Sequence, residues 1–277
     1  MGILKHIFNF YLNSSIHVAM AVYALTWVTL IQFELDYDDS VLYFVFFASI
    51  TGYNFVKYFG VAKFHHRSLA GWLRAIQIFS LLAFIAMCYY ALQLNLKTLI
   101  YLSILGLITF LYAIPILPMS YFRDSQMNLR EIGGLKVYVI ALVWAFTTVL
   151  LPLIEIEAII NADVVITFVQ RFILVIVLML PFEIRDLNYD SLKLGTIPQK
   201  IGIKNTKIIG VLLLMVFFFL EYFRDELSAN AILSTLIMVL TTLLFVVFAS
   251  KHQSKYYSAF WVEGLPIMWL GLLLILS

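Results

Sequence analysis

Glu183, Asp186 and Asp190 recur at positions i, i+3 and i+7. At 100° per residue they share about 60° of one helix face. Three carboxylates so close repel one another unless something positive lies among them. A hard divalent cation takes carboxylate oxygens, and Mg²⁺ commonly shares them with the phosphates of a substrate. Lys193 lies near the same face, where its ammonium can meet a phosphate directly. Gly195, Thr196 and Pro198 then end the helix. The spacing alone fits a solvated, mixed-charge helix end beside a membrane equally well.

The elements that carry these residues follow from composition. Hydrophobic residues make up 63% of the 277, and charged residues only 12%. A soluble domain carries about twice that charged fraction. The bilayer must therefore act as solvent for most of the chain. Within it every backbone polar group is paired internally, so apolar runs of about 20 residues are helices. Such runs lie near 14–33, 40–59, 72–92, 97–117, 136–154, 162–181, 206–223, 229–249 and 258–276. The expected fold is all-α: a polytopic bundle of about nine spans forming one domain over residues 1–277. The start of the chain does not read as a removable signal peptide, and residues 2–11 suit a short interfacial helix.

Charge sorts the connections. Lys5, Lys57, Lys63, Arg67, Arg74, Arg123, Arg130, Lys136, Arg185, Lys193, Lys200, Lys204, Lys207, Lys251 and Lys255 fall on one side. They are 15 of the 18 Lys and Arg. The other side holds Lys97 and Arg224 with most of the acidic residues, Glu34, Glu155, Asp163 and Glu221 among them. The positive-inside rule puts the N-terminus and long loops in the cytoplasm and the C-terminus outside, as in a plasma-membrane protein. A single cysteine, Cys88, excludes an intrachain disulfide and reads as a small buried hydrophobe. Five scattered histidines are too few for a membrane di-iron centre.

The stretch from Glu183 to Pro198 resembles the second aspartate-rich motif, DxRDxxxDxxxGxxTxP, of the UbiA superfamily of intramembrane prenyltransferases, with Glu183 in place of the first Asp. Tyr112-Ala-Ile-Pro115 resembles that family's Tyr-x-x-Pro turn, and Leu129 to Lys136 its basic loop. The resemblance implies a nine-helix bundle and transfer of an isoprenoid group from a prenyl diphosphate to a lipophilic acceptor. It also implies Mg²⁺ as cofactor, held by Glu183, Asp186 and Asp190, with Asp186 and Asp190 as the catalytic pair. Asn54, Lys57, Tyr112, Arg130, Lys136 and Lys193 would bind the diphosphate. Membrane lipid is an expected partner and nucleic acid is not.

One departure stands out. The family's first motif, NDxxDxxxD, has its counterpart in Asn54 to Ala62, where Phe55, Tyr58 and Ala62 occupy the three Asp positions. Two readings follow. In the first, side-chain cations contact the diphosphate directly beside a single Mg²⁺. In the second, the chain is a non-catalytic lipid-binding protein or a subunit of a membrane assembly. A transporter fits less well, because the polar residues cluster at helix ends rather than at mid-membrane. Arg171, about 18 Å along its helix from Glu183, suits helix packing best. Glu263 suits either packing or a cavity wall.

Overall fold

The computed structural model describes residues 2–64, 71–113, 134–188, 195–225 and 228–276, with the side chains of 59–64 and 111–113 outside that description. All the regular structure among these residues is helical: α1 (Gly2–Asn13), α2 (Ile16–Gln32), α3 (Asp39–Phe64), α4 (Gly71–Ala91), α5 (Leu96–Ala113), α6 (Leu135–Glu155), α7 (Ala162–Asp186), α8 (Ile197–Leu220), α9 (Ala229–Phe248) and α10 (Tyr257–Leu276). Among the described residues seven helices are long and apolar enough to cross a membrane. The pair α1 and α2, bent by 54° at its joint, makes an eighth if it is one span. The run expected at 97–117 appears as α5, which falls short of full span length over its described residues.

Helix ends sit where short polar side chains replace the missing intrahelical partners. Asp38 Oδ1 accepts the Val41 N–H at 3.0 Å to start α3, and Asn161 Oδ1 accepts the Val164 N–H at 3.0 Å to start α7. Pro198 occupies the first turn of α8, and Gly202 then breaks that helix with φ 79°. Only glycine adopts this conformation at little cost. The break separates the turn at 197–201 from the apolar body of α8 and explains why hydropathy alone starts the span near 206.

The core centres on α7, which packs between α6 and α8. Its Leu174, Val177 and Leu180 are fully buried. Helices α2 and α10 pack together, and α9 links α10 back to α8. Gly210 admits the close approach of α8, since a Cβ there would meet Leu180 Cδ1 and Val246 Cγ1 at 2.9 Å. Arg171 is 1% exposed inside this core. Its Nη1 donates to the Leu25 carbonyl at 2.6 Å, its Nη2 to Thr29 Oγ1 at 3.3 Å, and its guanidinium lies 5.5 Å from the Trp269 ring. It thus ties α7 to α2 and α10, which is the packing role expected from the sequence.

Two expectations need correction or extension. Cys88 is exposed on α4 rather than buried. This follows from α4 itself, whose Leu81, Leu82, Phe84 and Ile85 are also exposed, the pattern of a helix facing lipid. The N-terminal helix does form, but it reaches Asn13 and lies against the bundle. Phe8 packs on Tyr256 and Phe260, with ring centroids 5.4 and 5.1 Å apart, while Ile3, Leu4 and Ile7 stay exposed.

Candidate functional site

A cavity of about 430 Å³ lies at the end of the bundle where the basic connections gather, walled by α3, α6, α7 and α10, with α1 beside it. Its volume falls within the usual range for small-molecule sites. Helix α7 supplies a stripe of Val175, Leu178, Met179, Phe182, Arg185 and Asp186. These positions repeat at three and four residues, so they share one face. From Asp186 back to Val175 the stripe runs about 16 Å at 1.5 Å per residue. The wall is graded: Asp186, Arg185, Lys136 and Lys255 sit at or beside helix ends, Lys57 about two turns inside the end of α3, and Val175, Leu178 and Trp144 lie deeper in their helices.

Several charged groups at this wall are held by neighbours. Arg185 Nε donates to Asp186 Oδ1 at 2.8 Å, and its Nη1 to Ser258 Oγ at 2.9 Å. Lys136 Nζ lies 3.9 Å from Glu183 Oε1, a carboxylate only 2% exposed. Lys57 Nζ donates to Ser15 Oγ at 2.8 Å. Ser15 in turn donates to Asn54 Oδ1 at 2.8 Å, and the Asn54 amide donates to the Ser14 carbonyl at 3.0 Å and to Ser80 Oγ at 2.8 Å. Asn54 is therefore occupied, 3% exposed, and not part of the cavity wall. Its chemistry here is positional. It fixes the elbow between α1 and α2, where Ser15 sits in the left-handed region at φ 64°, and through Ser15 it aims Lys57.

On the α10 side the chain passes through a π-helical turn, Tyr257–Val262, which closes i to i−5 as Glu263 N–H donates to the Ser258 carbonyl at 3.1 Å. Such turns are rare and shift the residues after them around the helix. Glu263 follows directly and lies in the wall. The next residue must be small, because a Cβ on Gly264 would lie 2.8 Å from the Phe260 carbonyl oxygen and 3.4 Å from the His17 ring. His17 Nε2 is 2.8 Å from that same carbonyl, which can only accept, so Nε2 carries the hydrogen. The Tyr11 hydroxyl, 2.8 Å from Nδ1, then donates to it. Tyr256 donates to Asn9 Oδ1 at 3.0 Å, holding α1 beside the cavity.

The structure thus brings Lys57, Lys136 and Asp186 to one wall, with Glu183 just behind Lys136. It places Asn54 one hydrogen bond further back. Asp190, Lys193 and Arg130 lie outside the described residues, as does the side chain of Tyr112 near the end of α5. Sequence reasoning singled out neither Lys255 and Tyr256 nor the Tyr53–Trp144 pair, in which the indole N–H donates to the Tyr53 hydroxyl at 2.8 Å. Lys255 carried a signal, since it belongs to the basic set. Tyr53 and Trp144 carried none among 45 aromatic residues (24 Phe, 16 Tyr and 5 Trp).

The donor set does not match a magnesium cage among the described residues. Mg²⁺ demands about six oxygen ligands in octahedral array. Among the described residues, which do not include Asp190, no group of three or more His, Cys, Asp or Glu converges. The two described carboxylates of the aspartate-rich segment, Glu183 and Asp186, each lie against a cation, Lys136 and Arg185. A wall with Lys57, Lys136, Arg185 and Lys255 against Asp186 and Glu263 is instead suited to an anion.

Neither a family model nor a curated protein matches the sequence. Solved structures do. A UbiA homolog from Aeropyrum pernix K1 superimposes with a TM-score of 0.63 at 16% identity, over 94% of this chain and 97% of that one. A digeranylgeranylglyceryl phosphate synthase superimposes with a TM-score of 0.56 at 16% identity, over 98% of this chain and 97% of that one. Both alignments run nearly end to end, so the likeness extends to the whole order of helices. The chain has the fold of the UbiA homolog.

Proposed function

We propose that the chain belongs to the UbiA superfamily and transfers a prenyl group from a prenyl diphosphate to a lipophilic acceptor within the membrane. The observation that carries this is the graded cavity: cations at the rim, an apolar and aromatic stripe below them, in a bundle of this fold. An amphiphile with an anionic head and an isoprenoid tail matches both halves. The basic end faces the cytoplasm by the positive-inside rule, which sets the diphosphate at the inner leaflet and the tail in the bundle.

The chemistry asked of the residues is electrostatic. The allylic C–O bond breaks heterolytically and its electron pair leaves with the diphosphate. Lys57, Lys136, Arg185 and Lys255 stabilise that growing charge where it develops, which lowers the barrier rather than merely tightening binding. Trp144, Tyr53 and Phe182 shield the allylic cation from water, and aromatic faces attract it. The acceptor's nucleophilic atom forms the new bond to carbon, and its proton passes to a carboxylate, a role open to Glu263 in the α10 wall.

The test is product formation. Protein in nanodiscs, given prenyl diphosphates and a panel of phenolic and lipid-alcohol acceptors, should release inorganic diphosphate in step with prenylated product. Met179→Trp, which fills the stripe, should abolish release while leaving the melting temperature within a few degrees, because volume added to an open cavity adds no strain. Tight binding without release for any acceptor would favour a lipid-binding role on the same fold.

A further inference from the structure

The first motif has lost its three aspartates, and four cations, Lys57, Lys136, Arg185 and Lys255, line the cavity. Phe55 and Tyr58 stand at the Asp positions of the first motif on α3. On that same helix Lys57 reaches the wall, oriented by Ser15 and Asn54. On α7, Asp186 accepts from Arg185 at 2.8 Å, and behind the wall Glu183 faces Lys136 at 3.9 Å. A Mg²⁺ ion drawn to either carboxylate would have to displace an ammonium or guanidinium already there. A diphosphate would not. Lys57 spends one of its three N–H donors on Ser15, and Arg185 two of its five on Asp186 and Ser258, so donors remain for phosphate oxygens. Lysine and arginine bind phosphates without a metal, arginine in bidentate fashion.

Resting on the prenyl-diphosphate reading above, we propose that this cavity holds the diphosphate through side-chain cations alone, Lys57, Lys136, Arg185 and Lys255 taking the place of divalent metal. Asp186 and Glu183 then act as positioning residues: they hold Arg185 and Lys136 rather than an ion.

The experiment is titration of the purified protein in detergent with farnesyl and geranylgeranyl thiodiphosphates, which do not turn over, in excess EDTA and in excess Mg²⁺. The expected result is an affinity that agrees within about twofold between the two conditions, far less than the tenfold that 1.4 kcal/mol represents. Asp186→Asn, which removes a metal ligand but keeps a hydrogen-bond acceptor for Arg185, should change affinity by less than about threefold, a shift below 1 kcal/mol. A loss of tenfold or more in EDTA, restored by Mg²⁺, overturns the proposal while leaving the prenyl-diphosphate reading intact. So does loss of binding in Asp186→Asn with an unchanged gel-filtration profile. Absence of binding in both conditions overturns this proposal and the reading beneath it together.

Discussion

Replacing Lys57 and Lys136 together with glutamine should weaken prenyl thiodiphosphate binding by at least about a hundredfold. A hydrogen bond to a charged group contributes roughly 1.5–3 kcal/mol, and 1.4 kcal/mol is tenfold in affinity, so two such contacts give about two orders of magnitude or more. The two lysines come from different helices, α3 and α6, and converge on one wall. Their losses should be close to additive, since their described partners differ: Ser15 for Lys57 and Glu183 for Lys136. Stability must be followed separately. Lys136 is the cation nearest Glu183 among the described residues, and losing it leaves that buried carboxylate facing an amide, whereas Lys57→Gln leaves Ser15 to adjust and takes a longer-range positive charge from Glu263. Lys57→Gln should therefore melt close to the parent and Lys136→Gln below it. An unchanged affinity in the double variant would remove the diphosphate from this wall.

The largest effect on stability is expected at Arg171, and it should depend on volume rather than charge. Arg171→Ala empties a fully buried site between α2, α7 and α10, and large-to-small core changes cost about 2–5 kcal/mol. Arg171→Met keeps most of the side-chain volume and removes a charge that burial makes costly. Its partners retain others: Thr29 Oγ1 also donates to the Leu25 carbonyl at 3.2 Å. Exchanging buried ionic groups for well-packed apolar ones is often neutral. Thermal unfolding in nanodiscs should thus rank parent and methionine together and alanine well below. Neither should alter thiodiphosphate affinity more than a few fold, because Arg171 lies a full turn below Val175, where the wall of the cavity ends. A stable alanine variant that no longer binds would move Arg171 into the site.

These effects trace to what the sequence did and did not make legible. Spans and the acidic segment of α7 could be read directly, because hydropathy over twenty residues and carboxylate spacing are local properties. The apolar stripe of α7 was present in the same residues, but its partners on α3, α6 and α10 are not local to it. Asn54 shows the difference most clearly. Its type and its place in the motif pointed to a phosphate, yet the elbow between α1 and α2 delivers the Ser14 carbonyl and Ser15 hydroxyl to it, and they absorb its hydrogen bonds. No pattern within α3 encodes that elbow, since Ser15 at φ 64° is an ordinary residue in an uncommon conformation. Glu263 was visible as a charge in an apolar run. What turns it to the wall is a π turn, which depends on how α10 packs on His17 of α2.

The proposed cation site also gives a reason for where four of the basic residues lie. Basic residues in connections serve orientation in a membrane, but Lys57, Lys136, Arg185 and Lys255 all border one hollow. The acidic cluster at the opposite end differs in kind. There Gln170 and Arg224 both donate to Glu221, at 2.9 and 3.2 Å, and Arg224 also donates to the Gln32 carbonyl at 3.2 Å, a set of bonds that ties the ends of α2 and α8 to α7. That end pins the bundle; the basic end leaves donors for a ligand.

The most direct measurement is photolabelling with a prenyl diphosphate that carries a diazirine on its tail, followed by peptide mapping, with and without excess unlabelled thiodiphosphate. The account expects competed labels on the α7 stripe and its neighbours, at Leu178, Met179, Phe182, Ile140 or Trp144. Competed labels confined to the lipid-facing side of α4 or α8, with the α7 stripe unmarked, would contradict it.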